Sequence, residues 1–178
     1  MRKFKRIFVT AITVVAIGTL GTSFLINNLK KEEGITGKEW VTMQSPTFEG
    51  LEKFIESMDD VYALYTTQVM NDVDFKNEVA MLNVEYKSIL RDYEILKANN
   101  NIKPGTHTYV SKRATIAVDN IFKNISNILT ETYEGDNTKS PQEISYIYLA
   151  YKENIKNSVA DYITTMCIYE IEERKGGK

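Results

Sequence analysis

The sequence predicts an all-α protein, an N-terminal transmembrane or signal helix followed by an antiparallel four-helix bundle. Three observations lead there. Residues 7–26 carry neither a charge nor a proline. From residue 48 onward, apolar side chains recur every three or four positions through several long stretches. No run alternates apolar with polar residues between hairpin turns, so a sheet is not expected. The chain of 178 residues is long enough for one domain of roughly 100 to 150 residues with appendages. Hydrophobic residues at 43% with 9 Gly and 3 Pro are compatible with a packed core and unlike a low-complexity chain.

Residues 1–29 read as a basic segment and a membrane anchor or signal. Arg2, Lys3, Lys5 and Arg6 precede the uncharged run, and the first carboxylate is Glu32. As a helix the run is about 30 Å long, the thickness of a bilayer's hydrocarbon core, so residues 7–26 are expected to contact the bilayer. The four leading cations outweigh Lys30 and Lys31, which places the N-terminus in the cytoplasm and the remainder outside as a single-pass protein. The alternative is a secreted protein released by signal cleavage, since Ala16 with Gly18, or Gly21 with Ser23, offers small residues for a peptidase. Continuation of the apolar run through Phe24, Leu25 and Ile26 favours the anchor.

Residues 30–47 contain two Gly and a Pro without a sustained period, and read as a linker. Residues 48–175 then form the bundle domain. Leu51, Phe54, Met58, Val61 and Tyr65 define a first helical stripe, which Gln68 and Asp72 interrupt. It resumes at Phe75, Val79, Leu82, Tyr86, Ile89, Tyr93 and Leu96. A break near Asn71–Asp74 is expected, with Asn71 or Asp72 capping the second helix. The alternative is one long kinked first helix in a three-helix bundle. Asn99 to Gly105 collects turn formers and ends the second helix. Val110, Ala114, Ala117, Ile121, Ile125 and Ile128 mark a third helix ending before Gly135. Ser140-Pro141-Gln142-Glu143 has the form of a capping box with proline in the first turn. Ile144, Tyr148, Tyr151, Ile155, Val159, Tyr162, Met166 and Tyr169 follow on one stripe of a fourth helix.

The portion after the span keeps 18 of the 22 basic residues against 24 acids, about −6, with no clustered basic face. Nucleic acid is therefore not an expected partner. One Cys, Cys167, cannot form an internal disulfide, and one His, His107, cannot supply a histidine-rich metal site. Cys167 lies in a partly apolar helical stretch and is expected as buried filler. The sequence contains no phosphate-cradling loop, His-Glu-x-x-His, Cys-x-x-Cys or Gly-x-Ser-x-Gly element. No catalytic residue, cofactor or metal is nominated.

The resulting expectation is a non-catalytic, membrane-anchored extracytoplasmic bundle that acts by protein–protein interaction or self-association, in the manner of an accessory component of an envelope complex. The alternative is a sensory bundle that binds a small ligand and works with a transmembrane partner. Candidate partner or ligand residues are Tyr146, Tyr148 and Tyr151 at the start of the last helix, and Trp40 in the linker. Tyr148 and Tyr151 also fit the core stripe, Tyr146 falls outside it, and Trp40 can dock on the domain or sit at a lipid interface.

Overall fold

The first ordered turn of the domain is written into Thr36 and Glu39. The Thr36 hydroxyl accepts from the Glu39 amide at 3.2 Å, and the Glu39 carboxylate accepts from the Thr36 amide at 3.0 Å. This reciprocal pair satisfies two amides that a helix start leaves open, and it launches α1, Gly37–Thr66. A computed structural model describes residues 34–105, 107–134 and 139–176 of the chain. The expected membrane or signal helix at 7–26 lies outside the described residues. Among those described, no helix is long and apolar enough to cross a membrane.

The expected linker is corrected over 37–47, which is helical. Trp40, Val41, Gln44 and Phe48 bury one face there and extend the Leu51–Tyr65 stripe backward by three turns. Pro46, the cue for a linker, is tolerated because it lies on the exposed side with Thr42, whose carbonyl it deprives of a helical donor.

The break between the first two helices falls at residues 67–71, with Gln68 in the left-handed region at φ 60°. Asn71 caps α2, Asp72–Asn99, its side-chain oxygen accepting from Val73 and Asp74 amides at 3.0 and 2.9 Å. The expected break and cap are present, and the single long helix is not. After the loop, α3 runs Thr108–Leu129 and continues into a π-helical turn, Thr130–Glu134. The capping box holds as expected. Ser140 and Glu143 exchange hydrogen bonds at 2.7 and 3.3 Å ahead of α4, Pro141–Gly176.

These four helices make the described residues all-α, with one extended pairing where Ile35 bridges Ile102. Side-chain partners show that successive helices run in opposite directions. Along α1, Gln44, Phe54 and Tyr65 meet Tyr93, Tyr86 and Phe75 of α2 in descending order. Phe48 and Tyr62 meet Tyr162 and Tyr148 of α4, also descending. Trp40 reaches Thr115 of α3, and Tyr62 reaches Thr132 just beyond it, so α1 and α3 are parallel. The shared core includes Leu51, Phe54, Met58, Val79, Ile121, Ile125 and Ile155, each at most 1% exposed. Close packing of such side chains, more than helix propensity, stabilises helices of this kind in water.

Candidate functional site

The aromatic residues nominated from the sequence do not form one surface. Trp40 is 2% exposed and its indole N–H donates to the Thr115 hydroxyl at 2.8 Å. It is docked, not presented to a partner. Tyr148 is also buried, stacked on Tyr62 with ring centroids 4.4 Å apart, and donates its hydroxyl to Asp59. Tyr151 is half-buried and donates to Glu131 in the π turn. Tyr146 alone of the four is fully open, at 75% exposure. Trp40 and Tyr148 lie near opposite ends of α1, so no single partner patch contains them both.

Several polar side chains of the bundle gather in three groups. Near Tyr148, Lys152 contacts Asp59 at 2.8 Å and lies 5.4 Å from the Tyr148 ring centre. Tyr62 beside it shares a hydrogen bond with Thr132, and burial pushes its hydroxyl far above the ordinary tyrosine range. In the middle, Gln44 donates to the Tyr93 hydroxyl at 3.3 Å. Burial first, then the Asp119 carboxylate, raises that hydroxyl as well. Lys97 covers the Tyr93 ring at 5.0 Å and reaches Asp119 at 3.0 Å. Hydroxyls so far from ionising are hydrogen-bonding and packing groups, not bases.

The third group closes the end of the bundle where α1 and α3 begin and α4 finishes. His107, in the left-handed region at φ 65°, has an 8% exposed side chain. Its Nδ1 faces Glu172 at 3.3 Å and its Nε2 faces Glu173 at 2.9 Å. Lys38 pairs with Glu173, and the Tyr169 ring meets the imidazole edge-on at 5.1 Å. Lys38 first, with His107 adding, holds the Glu173 carboxyl below the usual range. Because the two carboxylates oppose different ring nitrogens, they do not converge on one cation. Among the described residues no group of three His, Cys, Asp or Glu is arranged to hold a metal.

The carboxylates at the start of α2 are likewise engaged. Tyr65 donates to Asp72 at 3.1 Å, and the Asn71 amide donates to Asp74 at 2.9 Å, around a shallow open depression. Cys167 is free and exposed, which corrects the expectation of buried filler. At about 100° per residue, position 167 points well away from the line through Ile155, Tyr162 and Met166.

A feature missed by the choice of aromatic residues is the outward side of α4. Tyr146, Leu149, Ile163 and Ile171 are 75%, 56%, 49% and 50% exposed. They share, with Ala160 and Cys167, an arc of roughly 100° on a helix with 3.6 residues per turn. Glu153, Lys156 and Asn157 interrupt the band midway. The signal was in the sequence as a second apolar set about a third of a turn from the core stripe, obscured by the stronger stripe. No protein-family model matches this chain, and neither the curated proteins nor the solved structures include a match to it.

Proposed function

We propose that this protein is a membrane-anchored extracytoplasmic helical bundle that acts by binding another protein, without catalysis, as an accessory component of an envelope complex. The outward apolar band of α4 is the observation that carries the binding reading. Tyr146 with Leu149, and Ile163 with Ile171, are exposed apolar side chains on one side of α4 that the core does not use, and apolar patches mark contact surfaces. A rigid helix also presents its side chains at low ordering cost. The uncharged run at 7–26 and its basic flank support the anchor, with the N-terminus cytoplasmic and the bundle outside. The small-ligand sensory reading has less behind it, because stacked Phe48–Tyr162 and Tyr62–Tyr148 rings fill the space between α1 and α4.

The test places a photo-crosslinking residue at Tyr146 or Ile163 in the full chain in cells, with Lys76 and Lys87 on α2 as control positions. A discrete crosslinked species from α4 alone, lost on adding Ile171→Asp, is the expected outcome. Equal labelling from both helices, or none from α4, refutes the binding surface. Mass spectrometry of the N-terminus in the same sample distinguishes an anchored chain from a cleaved one.

A further inference from the structure

The outward side of α4 carries a second repeat that the bundle core does not use. Tyr146, Leu149, Glu153, Lys156, Ala160 and Ile163 follow one another at alternating steps of three and four residues, and all of them are exposed. That spacing is the seam of a two-helix contact, in which each such position meets the facing helix. The seam also points away from its own bundle. On one flank Asp161 reaches Arg113 of α3, and on the other Lys152 reaches Asp59 of α1. Those two flanks lie about half a turn apart with the seam between them, so that side of α4 is open to another helix.

The seam is complementary to its own reverse. When two copies of α4 lie antiparallel with Glu153 of one level with Lys156 of the other, Leu149 comes level with Ala160 and Tyr146 with Ile163. Each match occurs twice, as a two-fold axis requires. A large side chain then meets a small one at Leu149 and Ala160, and Tyr146 covers Ile163 at either end. At the centre, two pairs of opposite charge fill the interruption that Glu153 and Lys156 make in the apolar band. Neither residue makes an ion pair among the described residues of its own chain. A parallel, in-register pair instead sets Glu153 on Glu153 and Lys156 on Lys156, and like charges in contact disfavour that arrangement.

We propose that this face of α4 pairs with the same face of a second copy of the chain, antiparallel and with Glu153 level with Lys156, to make a two-fold symmetric dimer. The inference rests on reading the outward side of α4 as a binding surface, and names its occupant. Charge sets the direction of the pair, and the contacts of Tyr146 with Ile163 and of Leu149 with Ala160 exclude water beside it. Ile171, two turns beyond Ile163, lies at the rim, near the start of the second copy's α4. One helix from each copy makes an interface at the small end of the specific range, so the dimer is expected to dissociate on dilution.

The register is tested by disulfide mapping of the full chain in detergent. Leu149→Cys and Ala160→Cys are made in separate chains, each also carrying Cys167→Ser. Mixed and oxidised, the two are expected to give a disulfide-linked dimer, because the positions are level. Each alone is expected to give none, since equal positions are then about 16 Å apart along the axis. The exposed Cys167 of two wild-type chains, about 37 Å apart, is expected to stay unlinked as well. Glu153→Lys is expected to weaken association roughly ten- to thirtyfold in sedimentation, and adding Lys156→Glu to restore it to within about threefold. That rescue separates lost pairing from lost folding. A disulfide from one variant alone or from wild-type Cys167 shows a parallel pair and overturns the proposal. So does a mixture that forms no disulfide, or association that Glu153→Lys leaves unchanged. A photo-crosslinked species from Tyr146 or Ile163 in cells whose mass is not that of two chains, with no disulfide from the mixture, rules out the second copy and leaves the binding surface standing.

Discussion

One buried and one half-buried side chain show how single residues can be suboptimal in a well-packed helix bundle. The Tyr162 ring stacks on Phe48 at 3.7 Å, but its buried hydroxyl makes no well-aligned hydrogen bond, Ser45 offering only a weak contact. Burial, with Glu49 and Glu52 close by, pushes that hydroxyl up to about 12. An unsatisfied buried hydroxyl costs free energy that a hydrogen atom in its place does not. Tyr162→Phe keeps the stack and is expected to raise stability by up to about 1 kcal/mol in urea denaturation; a loss of similar size would show that the hydroxyl has a bonding role. Glu85 is the carboxylate counterpart, half-buried and raised above its ordinary 4.5 by desolvation alone. A carboxyl raised in the folded state opposes folding when ionised, and the penalty fades as pH falls toward the unfolded value. Glu85→Gln is thus expected to stabilise at pH 7 by a few tenths of a kcal/mol, after allowing for solvent screening. The difference from wild type should vanish near pH 4, and a gain independent of pH would contradict the desolvation account.

At the scale of elements, the start of α1 is where local composition and packing disagree. Gly34, Gly37 and Pro46 resemble linker punctuation, yet Thr36 and Glu39 form the cap and Trp40 anchors the first turn. Trp40→Ala removes a ring that is 2% exposed, together with its bond to Thr115. The expected loss is about 3 to 5 kcal/mol, seen as a large drop in the denaturation midpoint. A loss below about 1 kcal/mol, the usual range for surface positions, would return residues 37–47 to the linker. The other helices were legible because their signals are local. Asn71 at the head of α2 and Ser140 with Glu143 ahead of α4 needed only short polar side chains at the right offset. The inward stripes of α2 and α3 were readable from spacing, and Phe75, Val79, Leu82, Tyr93, Val110, Ile121 and Ile125 are all buried.

Across the whole molecule, contacts between segments distant in sequence override local preference. Gly37 is in the first turn of α1, where alanine is ordinarily the better helix former by about 1 kcal/mol. A β-carbon there would stand 2.6 Å from the His107 carbonyl oxygen, and a backbone atom cannot move aside cheaply. Gly37→Ala is therefore expected to destabilise by about 1 to 3 kcal/mol, against its helix propensity, and to loosen the 101–107 connection in hydrogen exchange. A stabilised variant would mean that the end of the bundle is more compliant than this contact implies. The same end holds the Ile35–Ile102 bridge and the His107 group, so α1, the α2–α3 connection and α4 are fastened together there.

Period and capping chemistry, which act within a few residues, let the sequence by itself determine that this domain is all-α, where two of its helices begin, and which faces turn inward. Tertiary structure decided what depends on distant partners. It drew Gly37 to Thr47 into α1 because Trp40 had Thr115 to bind. It buried Tyr148 against Tyr62 and left Tyr146 outside, and it turned Cys167 outward. It brought His107 between Glu172 and Glu173, some 65 residues away. No periodicity encodes such a meeting, because it follows from how α3 and α4 pack against each other, which only the tertiary structure sets.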